Sequence, residues 1–177
     1  MIIRKMLPSE LPWALQCYSE GSFVHSGDDD FIAVAEDNGF KAGIGRILSI
    51  RGGLGELGGV IVLPEFKDKG LEEKIIEFLL AQCGNRSLFC LPFVQLEDFY
   101  RRYGFTPIDL TMDIPLVIAE KFRWCQEYYE IPVVLMHREA GPTPCARGAG
   151  GPQGSPRQGM SRRGRIPRPV RRRGRGP

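Results

Sequence analysis

The chain has 177 residues, 42% of them apolar, and its formal charge of +3 conceals two parts of opposite sign: residues 1–139 carry −7 and residues 140–177 carry +10. That length fits one ordinary domain plus an appendage, and with no run of about 18 apolar residues no membrane span is expected. Five cysteines without a C-x-x-C pair, beside only His25 and His137, give no zinc spacing and suit a reducing compartment.

Arg4, Lys5, Pro8 and Glu10 break up the N-terminus, so no signal peptide is expected, and the folded part should be soluble and cytoplasmic. Ile2–Met6 reads as a first strand. Pro8-Ser-Glu-Leu11 then opens a helix, with Ser9 as its N-cap, running towards Tyr18 or Ser22. Asp28-Asp29-Asp30 is a solvated loop, because no further metal ligands are grouped with it. Phe31–Ala35 is a strand, Asp37-Asn38-Gly39 a hairpin turn whose Asn and Gly tolerate positive φ, and Ala42–Ile50 the returning strand. After a second tight turn at Arg51–Gly55, Leu57–Leu63 forms the next strand. Leu71, Ile75, Phe78, Leu79 and Cys83 then recur at helical spacing. Ser87–Leu91 is a strand, Leu96–Tyr103 a helix ended by Gly104, and Phe105–Leu110 a strand. A helix around Leu116–Tyr129 and a last strand, Val133–His137, complete a mixed, largely antiparallel sheet of six to seven strands with helices on both faces. The expected domain is 1–139; residues 140–177, rich in Gly, Pro and Arg and without aromatics, read as a disordered basic tail.

Gly53-Leu-Gly55-Glu-Leu-Gly58 matches G-x-G-x-x-G, but a strand and Pro64 follow it where a dinucleotide fingerprint needs a helix. Those glycines are read as serving a hairpin and a bulge. More telling is the stretch from Val60 to Lys74: a short apolar strand stopped by Pro64, a basic turn with Gly70, then an amphipathic helix. Such a turn aims unpaired backbone N–H groups and the positive helix end at one spot, which suits a phosphate. An ordinary strand-to-helix connection has the same pattern.

Elements in this order, over roughly residues 1–138, resemble the GNAT superfamily of acetyl-CoA-dependent N-acetyltransferases. Val62-Leu-Pro-Glu-Phe-Lys-Asp-Lys-Gly-Leu-Glu72 is similar to the family's pyrophosphate loop, Q/R-x-x-G-x-G/A, and Phe99-Tyr-Arg-Arg-Tyr-Gly-Phe105 to its F-Y-x-x-x-G-F helix end. The segment after Phe105 resembles the amino-acid-acetylating branch related to N-acetylglutamate synthase. The resemblance implies that Lys67, Asp68, Lys69, Gly70, Leu71 and Glu72 wrap the pyrophosphate of acetyl-CoA, and that the backbone of Val60, Ile61 and Val62 holds the acetyl carbonyl and pantetheine. Two departures stand out: Glu72 replaces the usual Gly or Ala, and Phe93 stands where the family often has Asn.

A protonated alkyl amine must lose a proton before it attacks a thioester. Glu56 matches the position of the family's general-base glutamate; the alternative is a solvent-facing or salt-bridged strand residue. Tyr100 matches the family's tyrosine acid, with an ordinary phenol pKa of about 10; the alternative is a packing aromatic. Cys90 in Leu88-Phe-Cys-Leu91 reads as strand filler, which implies direct transfer in a ternary complex to a primary amine of a small molecule or amino acid, with no metal. The alternatives are a non-catalytic module of the same fold, or a nucleic-acid-associated protein whose arginines make non-specific phosphate contacts. A monomer or a homodimer is expected, the latter through a C-terminal strand exposed at a sheet edge.

Overall fold

The computed structural model describes residues 1–141 apart from 22, 24–26, 28 and 112. Seven strands form one sheet: β1 (Ile2–Lys5), β2 (Phe31–Asp37), β3 (Phe40–Ile50), β4 (Leu54–Val62), β5 (Leu88–Cys90), β6 (Thr106–Pro107) and β7 (Met136–Arg138). The helices are α1 (Leu11–Glu20), α2 (Leu71–Gln82), α3 (Glu97–Arg101) and α4 (Leu116–Tyr128). The spatial order is β1-β2-β3-β4-β5-β7-β6, antiparallel throughout except for β4–β5. The mixed, largely antiparallel sheet expected from the sequence is the one that forms.

Strand alternation sends side chains to opposite faces. Ala33, Ala35, Ile47 and Leu57 meet the buried stripe of α2, made by Leu71, Ile75, Ile76 and Leu79. Ile32 and Ile44 instead meet Ala14, Cys17 and Tyr18 of α1, while Phe89 and Leu135 meet Ile118 of α4. The helix α2 can press close because β3 is bare beneath it. A Cβ on Gly45 would stand 2.5 Å from Cγ2 of Ile75. The hairpin between β2 and β3 turns on Asn38 and Gly39, at φ 52° and 81°, as their types require.

Several expectations are corrected. Pro8–Glu10 forms a 3₁₀ turn that contains Ser9, and no side-chain hydrogen bond caps α1. Glu10 does the local work instead: its Oε2 accepts from the Leu7 N–H at 2.8 Å and from Nη1 of Arg4 at 2.8 Å, while Arg4 also pairs with Glu36. A Ser9 cap would need the N–H of residue 11 or 12, and residue 12 is a proline with none to give. The Arg4 hydrogen bond holds the Glu10 carboxyl down at about 2. The strand after Phe105 is shorter than expected, only Thr106–Pro107, although the Ile108 N–H still donates to the Leu135 carbonyl at 3.0 Å. The last strand is not an edge at all: β7 lies between β5 and β6, and Val133 makes only an isolated bridge to Phe93. The edge argument for a homodimer therefore falls.

The dinucleotide reading of Gly53–Gly58 is excluded, since Gly53 sits in a turn at φ 76° and Gly55 and Gly58 lie inside β4. No helix among the described residues is long and apolar enough to cross a membrane. The basic tail and its nucleic-acid reading lie outside the described residues.

Candidate active site

The site is organised by β4. Ile44 faces Ile61 and Arg46 faces Gly58, so Gly45 stands opposite two residues, Gly59 and Val60. This is a β-bulge, with Gly59 at φ 58° supplying the left-handed residue it needs. The bulge resets the alternation: Leu57 before it and Val60 and Val62 after it all pack towards α2, and Ile61 packs towards α1. On its other side β4 meets β5 at only two positions, Gly55–Leu88 and Glu56–Phe89. Beyond Glu56 the strands part, and β4 runs on to Val62 with no strand partner on its β5 side. Val60, Ile61 and Val62 thus lie on the part of β4 that has no strand partner on its β5 side.

The turn that follows is open as well. Asp68 and Gly70 take positive φ, 64° and 66°, and Gly70 starts α2 without a side-chain cap. The backbone N–H groups of Lys69, Gly70, Leu71 and Glu72 donate to no described residue. Four orphan donors at a helix start make an anion cradle. The side chains are more unequal than the sequence suggested. Lys67 is exposed and makes no ion pair with a described residue. Lys69 pairs with Asp37 at 2.8 Å and lies over the Phe66 ring at 4.9 Å, so the β2–β3 hairpin already holds its charge. Leu71 is fully buried and can offer only its amide. Glu72 is half-buried and makes no hydrogen bond or ion pair with a described residue. The acid nearest Gly70 is Glu73, whose Oε2 lies 3.7 Å from where a Cβ there would be and whose Oε1 is 3.9 Å from Arg102.

Tyr100 is buried among Phe99 and Phe105, edge to face with both, in the cluster that contains Cys90. Burial first, and the neighbouring Cys90 second, push the Tyr100 hydroxyl well above the ordinary phenol range, so it stays protonated. Burial also raises the Cys90 thiol, which leaves no thiolate nucleophile there.

Glu56 lies on the opposite face of the sheet from Leu57, 6% exposed, with Oε1 2.5 Å from Nζ of Lys121 on α4. It borders a cleft of about 580 Å³ that Asp30, Ser49, Arg51, Leu116 and Val117 also line. The Asp30 carboxylate is fixed by the N–H groups of Gly27, at 2.6 Å, and Ser49, at 2.8 Å. Further along the same face, opposite Gly58, Arg46 is 1% exposed and stacks on the Tyr18 ring at 4.0 Å. Burial lowers the Arg46 guanidinium and raises the Tyr18 hydroxyl, which has no hydrogen-bond partner among the described residues.

Lys121, Arg46 and Tyr18 escaped the sequence reading, although two of them left a trace. Lys121 falls on the buried stripe of α4, three residues after Ile118 and four before Cys125. Arg46 alternates with Ile44 and Leu48, so it had to point inward with them. A charge at an apolar register position was the signal in both.

A model of the acetyltransferase (GNAT) family matches residues 3–105. No curated protein matched the sequence. Among solved structures, N-acetylglutamate synthase from Neisseria gonorrhoeae complexed with coenzyme A and N-acetyl-glutamate aligns at TM-score 0.60 and 15% identity, over 79% of this chain and 35% of that one. Escherichia coli ElaA aligns at 0.57 and 19%, over 78% and 99%. Rv2747 from Mycobacterium tuberculosis, in complex with CoA, aligns at 0.59 and 20%, over 78% and 99%. The chain therefore spans about a third of the gonococcal synthase and nearly all of the other two. At such identities the likeness is one of fold.

Proposed function

Because this chain belongs to the acetyltransferase (GNAT) family, we propose that it moves an acetyl group from acetyl-CoA to a primary amine of a small molecule or amino acid. The observation that carries the reading is the alignment of two openings along one strand. Orphan amides at Lys69–Glu72 follow β4 at one end, and the parted seam with β5 begins at Glu56. A diphosphate fits the first and an extended pantetheine the second. Asp68 and Gly70 set the turn's conformation, Lys67 adds an exposed cation to it, and the backbone of Val60, Ile61 and Val62 borders the acyl end.

Bound there, acetyl-CoA supplies an acetyl thioester. Glu56 takes the proton that the acceptor ammonium must lose, from the wall of the cleft in which the acceptor sits. Free backbone donors on β4 beside the bulge stabilise the oxyanion. Tyr100, held protonated by burial, gives a proton to the departing sulfur. Cys90 stays a thiol, which favours direct transfer in a ternary complex over an acyl-enzyme. The working unit is residues 1–139, in a reducing, cytoplasmic setting that suits its free cysteines.

The test is release of CoA thiol by the full chain with acetyl-CoA and a panel of small amines and amino acids, alongside melting with and without acetyl-CoA. Thiol release with at least one amine, and a higher melting temperature with acetyl-CoA, are expected. No thiol and no stabilisation would falsify the proposal.

A further inference from the structure

The ammonium of Lys121 lies against the carboxylate that the acetyl-transfer reading makes the base. Its Nζ is 2.5 Å from Oε1 of Glu56, within direct hydrogen-bond reach of that base. The pair is enclosed, with side chains 21% and 8% exposed. Lys121 has not strayed there from solvent. It leaves α4 from the stripe that buries Ile118 and Cys125, and Ile118 packs on Phe89, the β5 residue paired with Glu56. The strands part immediately beyond that pair, towards the Gly59–Val60 bulge.

We propose that Lys121 is a self-acetylation site, the chain's own amine serving as acceptor when no other fills the cleft. This rests on the acetyl-transfer reading of Glu56. The step balances as follows. Glu56 takes one proton from the Lys121 ammonium and later loses it to water. The freed Nζ lone pair forms a bond to the acetyl carbonyl carbon, and the carbon–sulfur bond breaks with its electron pair leaving on sulfur. Tyr100 protonates that sulfur, and the second proton shed by nitrogen returns through solvent to the phenolate. The products are Nζ-acetylated Lys121 and CoA thiol, with nothing oxidised or reduced. Acetylation replaces the cation with a neutral amide and leaves the Glu56 carboxylate without its ion-pair partner.

The full chain is incubated with acetyl-CoA alone, digested and mapped by mass spectrometry. Exposed Lys5, on β1 and outside the proposed site, is the internal reference for uncatalysed acetylation. One acetyl group is expected on Lys121, arriving about a hundredfold faster than on Lys5, the scale of general-base assistance. In Glu56→Gln that advantage should vanish. Lys121→Arg, which keeps the cation, should melt like the parent and lose the acetyl mass increment. An increment that persists in Lys121→Arg, or a Lys121 rate no greater than that of Lys5, overturns the inference. If Lys121 stays unmodified while an added amine still releases thiol, only this inference fails. If acetyl-CoA neither stabilises the chain nor reacts with any amine, the transferase reading fails with it.

Discussion

Replacing Gly59 with alanine puts the bulge to a direct test. Gly59 holds φ at 58°, where an L-residue with a Cβ costs roughly 1–2 kcal/mol. The added Cβ would also stand 2.8 Å from Cε1 of Tyr18 and 3.2 Å from Nε of Arg46. Neither neighbour yields easily, because the Tyr18 ring is fully buried and the Arg46 guanidinium is stacked on it at 4.0 Å. Overpacking of that kind costs about 1–3 kcal/mol, so the variant should lose roughly 2–5 kcal/mol in total. Urea melts followed by tryptophan fluorescence report it locally, since Trp13 packs on the same cluster as Tyr18. The midpoint should fall with the slope unchanged. Acetyl-CoA affinity should fall as well, because the clash is relieved by flattening the bulge that shapes the acyl end. A loss below about 0.5 kcal/mol, typical of an indifferent surface position, would refute the argument.

Three further outcomes are expected. Tyr100→Phe should lower turnover by about 10²–10⁴-fold, the range for general acid catalysis, and leave acetyl-CoA binding largely intact; if isothermal titration shows binding lost too, the residue is structural. Glu10 has a folded pKa of about 2 against an ordinary 4.5, so its contribution is present above pH 4.5 and drains away as pH falls towards 2. Melting temperature against pH should therefore drop more steeply over that window in the parent than in Glu10→Gln. Glu72→Gly should tighten acetyl-CoA by about threefold at low salt, as removal of a half-buried charge at a helix end is worth about 0.3–1 kcal/mol; no change at any ionic strength would place that carboxylate out of reach of the diphosphate.

What the sequence disclosed was local. The Asp37-Asn38-Gly39 hairpin, the apolar stripe of α2 and the glycine stop after α3 each depend on residues within one or two turns of one another, and each lies where it was read. Capping at Glu10 was missed because Arg4 and Glu36 decide it, and Glu36 is brought in by strand pairing. The same holds at the site. The turn after β4 follows from neighbouring residue types and Glu56 was singled out by the family resemblance, whereas the Glu56–Lys121 pair joins residues 65 apart in sequence. Lys69 illustrates the converse: its charge was legible, but its commitment to Asp37 depends on the β2–β3 hairpin lying beside the turn. Periodicity says which residues point inward, and only tertiary structure says what they meet.

The inner position of β7 has a bearing on how the chain assembles. β1 to β4 are laid down side by side in the order in which they are synthesised, but β5 and β6 are joined only through Met136–Arg138. On the ribosome, the N-terminal half can close while the other half waits roughly fifty residues for its central rung. During that wait the backbone edge of β5 is exposed to any passing strand. Nonsense or frameshift alleles that end just before Met136 should therefore yield aggregates and proteolytic fragments, even though every residue lining the cleft and the turn before α2 has already been made.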